Sequence, residues 1–146
     1  MTSLDNQQTR DLYLARRAIE RAAVETLTKD PTPEQLSRLN ELLARMQRAA
    51  GRNRWADLAS LDLAFHEALV AATESKRLVR MFRTLIVETS ICVAALKPAY
   101  PHLKTLVEEH ETLLQAIERG DTKRALQLVD EHLESAVRDL TTRSPS

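Results

Sequence analysis

The stretch SLDLAFHEALVAA (Ser60–Ala72) reads as successive turns of an amphipathic helix built from leucine, alanine and a phenylalanine, with two exceptions. Asp62 and His66 stand four residues apart within it. Residues at that spacing share one helix face, with Cβ atoms about 5–6 Å apart. Both side chains can therefore reach one metal ion. The competing reading is a hydrogen-bonded Asp–His pair, or two polar residues at the edge of the buried face.

Working outward, every segment reads as helix. TRDLYLARRAIERAAVETLTK places Leu12, Ala15, Ile19, Ala22, Ala23 and Leu27 near one face. In DPTPEQL, Thr32 suits an N-cap, Pro33 the first helical position, and Gln35 completes a capping box. The second helix carries Leu36, Leu39, Leu42, Leu43 and Met46, and Gly51 is placed to end it. The third starts near Asn53 or Arg54 and holds the opening stretch. TESKR is a weak break after which Ser75 can cap a fourth helix. From Leu85 onward that helix, LVRMFRTLIVETSICVAALK, is apolar around most of its circumference, a pattern of burial on several sides or of a subunit contact. Pro98 and Pro101 end it and begin the fifth helix. Gly120 stops the fifth and Asp121 caps the sixth, which runs to about Leu140. The expected fold is all-α, an antiparallel bundle of about six helices over 11–140, with a flexible lead at 1–10 and a flexible tail at 141–146.

Composition agrees. The 146 residues make one domain, and only two glycines argue against a turn-rich β fold. Aromatics are 3% of the chain, so the core must be built of Leu, Val, Ile and Ala. Basic and acidic residues number 21 each, which leaves no whole-chain electrostatic footprint for nucleic acid. The one dense basic cluster, Arg45, Arg48, Arg52 and Arg54, reads as a solvated face at a helix end. A single cysteine, Cys92, excludes an internal disulfide and reads as a buried small hydrophobe. There is neither an apolar signal region nor a bilayer-length apolar run, and a cytoplasmic location is expected.

The other histidines bear on the two readings of Asp62 and His66 but leave both open, since each histidine can also be a satisfied core residue. His110 lies ten residues before Gly120, and His132 eleven after Asp121. In an antiparallel hairpin both then stand roughly 15 Å above the turn, at the same height. His110 is in phase with Leu103, Leu106, Val107, Leu113, Leu114 and Ile117, and His132 with Leu128, Val129, Ala136 and Leu140. Three of the four histidines and one aspartate can thus converge inside the bundle. Such a donor set suits zinc, nickel, manganese or iron, with positions left for water or a small organic acid. The fourth histidine, His102, follows Pro101 at a helix start and reads as exposed. Trp55 and Phe65 read as packing residues. Either Arg16 or Arg17 can turn inward and offer its fork to a ligand carboxylate.

In DLYLARRAIERAA, DLAFHEAL, EEHETLLQAIERGDTKRA and DEHLESA the chain resembles the C-terminal ligand-binding domain, called the FCD domain, of FadR-subfamily GntR transcription regulators. The resemblance runs from about Asp11 to Leu140. It implies an all-helical antiparallel bundle that dimerises and holds a divalent transition metal through Asp62, His66, His110 and His132. It also implies a small carboxylate effector beside the metal, with Arg16 at the pocket.

Three departures stand out. Thr73, Glu74 and Ser75 replace a Ser-Gly-Asn-like break. Glu88, Thr89 and Ser90 stand where basic residues are frequent, which makes the pocket less cationic. The chain also offers no recognition helix or basic wing, so no direct DNA contact by this chain alone is expected. The leading expectation is a sensor domain. The alternative is a metal-dependent lyase or hydrolase acting on a small carboxylate, with Glu67, Glu88, Glu108 or Glu109 as a base. A homodimer is expected through part of helix four, from Leu85 to Leu96.

Overall fold

The computed structural model describes residues 4–94 and 102–142. These form six helices and no strand: α1 (Asn6–Lys29), α2 (Pro33–Gly51), α3 (Trp55–Ala71), α4 (Lys76–Ala94), α5 (His102–Glu118) and α6 (Thr122–Thr142). The all-α bundle expected from the sequence is the fold observed.

Local chemistry sets most of the boundaries. Thr32 and Gln35 cap α2 reciprocally, with Pro33 in its first turn. Asp5 and Gln8 make the same box at α1, so the helix begins at Asn6, inside the stretch expected to be a flexible lead. Ser75 Oγ accepts from the Leu78 N–H at 3.2 Å, and Asp121 Oδ1 from the Arg124 N–H at 3.1 Å, as cap positions require. Gly51 is the last residue of α2, but the left-handed turn beyond it falls to Asn53, at φ 54°. Between α5 and α6, Gly120 takes φ 68°, and the amides of Gly120 and Asp121 donate to Ile117 and Ala116. This double closure satisfies two orphan carbonyls at the end of α5. Pro98 and Pro101 lie outside the described residues, as do the side chain of His102 and the end of the tail.

The main core is mostly aliphatic and joins five helices, with α4 reaching it through Cys92. It packs Leu12, Val24 and Leu27 of α1 with Leu39, Leu42 and Met46 of α2, Phe65 and Leu69 of α3, Leu114 and Ile117 of α5, and Val129 and Leu133 of α6. Helix α1 lies against α3, α4, α5 and α6. On its outer edge Arg17 Nε and Arg21 Nη1 clasp the Asp130 carboxylate of α6 at 3.0 and 2.5 Å. Ala22, expected on the inner face, is exposed, and Val24 is buried instead.

Helix α4 differs from its sequence pattern. Phe82 and Ile86 pack with Ile19, Ala23 and Val70 in a second, smaller cluster, and Thr89 and Cys92 are also buried. Val87 is 63% exposed and Met81 56%. The helix therefore buries one face against α1 and α3 and is not surrounded, because the core between α1, α2, α3, α5 and α6 is already filled.

Gly120→Ala is expected to destabilise the fold by about 1–2 kcal/mol, the cost of a left-handed residue with a Cβ. At Gly120 that Cβ would also lie 3.4 Å from the Thr28 carbonyl oxygen. Urea unfolding with unchanged far-ultraviolet dichroism checks this; an unchanged midpoint would contradict it.

Candidate metal centre

Asp62 and His66 of α3, His110 of α5 and His132 of α6 each offer one ligand atom, and these atoms all lie within 4.8 Å of one another. The equal distances from the Gly120 turn have the expected result: the rings of His110 and His132 meet edge to face with centroids 4.8 Å apart. Phe65, one residue from His66, stands edge-on to His110 at 4.9 Å and fixes that ring by packing.

The orientation of each imidazole is set by its Nδ1. His66 Nδ1 bonds Glu20 of α1. His110 Nδ1 donates to the Leu106 carbonyl at 2.7 Å, one turn back on α5. His132 Nδ1 donates to Glu109 at 2.6 Å. With Nδ1 as donor, each ring turns its Nε2 lone pair inward, the tautomer a metal ligand requires.

The spacing of the inward atoms tests whether they fit an ion. Ligands with bonds of about 2.1 Å stand roughly 3.0 Å apart at right angles and roughly 3.4 Å apart in a tetrahedron. Here His66 Nε2 is 3.1 Å from His132 Nε2 and 3.2 Å from Asp62 Oδ1, and His110 Nε2 is 2.7 Å from Asp62 Oδ1. Asp62 Oδ1 and His110 Nε2 are nevertheless buried without a hydrogen bond of acceptable geometry. They aim at a shared point rather than at each other. Buried polar atoms left in that way call for a partner, and a cation at the shared point is one.

Electrostatics agree. Burial works against ionised Asp62, but contact with His110 and His66 holds its carboxyl well below the usual range. Burial likewise opposes a charged His66, yet Glu20 and Asp62 raise its pKa to about 9. Positive charge is therefore favoured at this point, carried by a proton or by a metal. His132 shifts the other way, kept neutral by burial and by the neighbouring imidazoles against the pull of Glu109.

Arg16 lies inside and Arg17 outside, which settles the choice the sequence left open. Arg16 is 2% exposed. Its Nε donates to Glu20 at 2.9 Å, while its Nη2 is buried with no partner among the described residues. Burial would raise the Glu20 carboxyl, but Arg16 and His66 together hold it at about 2. Glu20 thus links guanidinium to imidazole. Only its position four residues after Arg16, on the buried side of α1, could have pointed to it.

A cavity of about 310 Å³ adjoins the centre, lined by Arg16, Asp62 and His132 and by Tyr13, Trp55 and Asp139 among others. Trp55, read from sequence as packing, is part of this wall, and so is Val93. Of the glutamates considered as bases, Glu109 lines the cavity but is bonded to His132. Glu67 faces a separate open groove of about 550 Å³ between α2, α3 and α4, and Glu108 pairs with Lys104 at 4.0 Å on the surface.

The fold and the site define an all-helical domain with a His/Asp centre in its core. The FCD domain model matches residues 11–135, and the chain belongs to the FCD domain family. The fold is shared with Escherichia coli McbR/YncC, at 22% identity and a TM-score of 0.83, over 94% of this chain and 66% of that one. Listeria monocytogenes Lar, which controls expression of the agr system, matches at 11% identity and TM-score 0.86, over 97% and 67%. The transcriptional regulator GntR from Rhodococcus sp. RHA1 matches at 22% and 0.87, over 99% and 68%. The chain spans about two thirds of the length of these structures. Comparison with curated proteins gave no match.

Replacing Glu20 by glutamine is expected to lower zinc affinity roughly 10–100-fold, the usual effect of losing a histidine's outer partner. Competition with a chromogenic chelator measures this; unchanged affinity would show that Glu20 does not orient His66.

Proposed function

We propose that this domain senses a small carboxylate through a bound divalent transition metal, as the effector-binding part of a GntR-type regulator. Asp62, His66, His110 and His132 hold the metal, and zinc, nickel, manganese or iron suits three imidazoles and a carboxylate. The metal supplies a Lewis-acid seat for one carboxylate oxygen. Arg16 supplies the second anchor. The single observation that carries this reading is the Arg16 guanidinium: buried, fixed at Nε by Glu20, with Nη2 unpartnered beside the same cavity as Asp62 and His132. Leaving such a donor buried and unsatisfied costs about 1–3 kcal/mol or more, which a ligand oxygen would recover.

FCD domains act in regulators whose effector changes the relation between subunits, and a ligand does so only if it binds the two states differently. A homodimer through α4 fits the exposed Val87 and the half-buried Ile91, one turn apart on its outer side. Such an apolar strip is suited to a two-fold contact. DNA contact belongs to a separate domain in this reading, because the four exposed arginines around the end of α2 are the one dense basic cluster of a chain with no net charge. No described helix is long and apolar enough to cross a membrane, and a regulator of this kind works in the cytoplasm.

Calorimetry on zinc-loaded protein with citrate, succinate, malate and lactate is expected to find at least one binder that Arg16→Ala weakens tenfold or more (~1.4 kcal/mol). Removing Arg16 also strands Glu20, a loss of roughly 3–5 kcal/mol for a buried pair. Arg16→Lys, which keeps the charge but loses the fork, separates anchoring from folding. Equal affinity in wild type and both folded variants would reject the anchor.

Light scattering over a dilution series is expected to give a dimer mass for the wild type and a monomer mass for Val87→Glu. A monomer at every wild-type concentration would reject the dimer.

A further inference from the structure

The cavity wall carries more negative charge than a carboxylate effector alone would want. Its described lining residues include one cation, Arg16, and three carboxylates, Asp62, Glu109 and Asp139. Asp62 is committed to the centre, and Glu109 accepts from His132. Asp139 is half-buried, and its side chain makes no hydrogen bond or ion pair among the described residues.

Helix geometry places Asp139 at the opposite end of the cavity from the centre. It follows His132 by seven residues on α6, and Trp55 precedes Asp62 by seven on α3. Both offsets are two turns, about 10 Å along the helix axes. The cavity therefore runs from the centre and the free Nη2 of Arg16 toward a carboxylate and an indole. A partly desolvated carboxylate beside an aromatic ring suits a cation, through a charge-assisted hydrogen bond and the ring face. A second ligand carboxylate placed there would face Asp139 and be repelled.

We propose that the cavity selects an ω-amino carboxylate, whose carboxylate is held at the metal and Arg16 and whose ammonium group is held by Asp139 beside Trp55. This rests on the reading that the cavity takes a carboxylate at Arg16, and it adds the group at the other end of the ligand. A chain of roughly four carbons spans the distance left after one contact at each end.

The experiment compares 4-aminobutanoate, butanoate and succinate, and then 5-aminopentanoate, pentanoate and glutarate, by calorimetry on the zinc-loaded protein. The amino acid of each set is expected to bind about tenfold tighter than the plain acid, with the diacid weakest. Asp139→Asn should erase the advantage of the amino acid and leave the plain acid unchanged. Asp139→Lys should invert the order in favour of the diacid. Dichroism and zinc content equal to wild type qualify both variants. A diacid that binds as well as the amino acid, or an order that survives both substitutions, would overturn the ω-amino assignment while leaving the carboxylate anchor standing. Failure of all six compounds, with citrate, malate and lactate also silent, would instead remove the anchor and the proposal with it.

Discussion

The carboxylate of Glu20 is the interaction on which both halves of the site depend. It sits fully buried on α1, where an unpaired charge would be untenable. It is tolerated because Arg16 stands one turn before it and His66 of α3 meets it from the other side. The same carboxylate therefore does two things at once. It fixes the His66 ring with Nε2 turned to the centre, and it holds the Arg16 guanidinium inside, in the wall of the cavity. A change in charge at the centre is felt at Arg16 through one residue. This is a short physical route by which metal occupancy and ligand anchoring can be coupled.

The scaffold around it is built to hold register. The ligand atoms come from three helices, and their outer partners from α1 and α5, so the centre is formed only when four helices keep their relative heights. The Gly120 turn sets the α5–α6 register, and the Arg17–Arg21–Asp130 clasp and the Thr28–Thr122 hydroxyl contact tie α1 to α6. Around the polar centre the packing is apolar except where the cavity meets Asp62 and His132. An interior of this kind makes polar contacts strong when satisfied and costly when not. That is why the two unsatisfied ligand atoms and the free Nη2 of Arg16 carry meaning here, where exposed groups would carry none.

Helix α4 shows how far a periodic pattern can mislead. From Leu85 the run is apolar apart from Glu88, Thr89 and Ser90, and a single sequence cannot tell a surrounded helix from one with a second apolar face turned outward. Packing decides it, because Ile19, Ala23 and Val70 offer room for one side of α4 only. Val87 is left outside, and Val93 is turned to the cavity wall.

The sequence by itself determined what depends on neighbours along the chain. It set the helix count, the Thr32–Gln35 capping box, the Gly120 stop and the i, i+4 pair of Asp62 and His66. It also set the matched heights of His110 and His132, because an antiparallel hairpin converts equal distances from a turn into contact. It did not determine what depends on the rotation of one helix against another. Glu20 as the partner of His66, Glu109 as the partner of His132, Arg16 rather than Arg17 as the inward cation, and Trp55 and Asp139 on one cavity wall all required the packed bundle. Spacing along a helix fixes which residues share a face. Only the tertiary structure decides what that face meets.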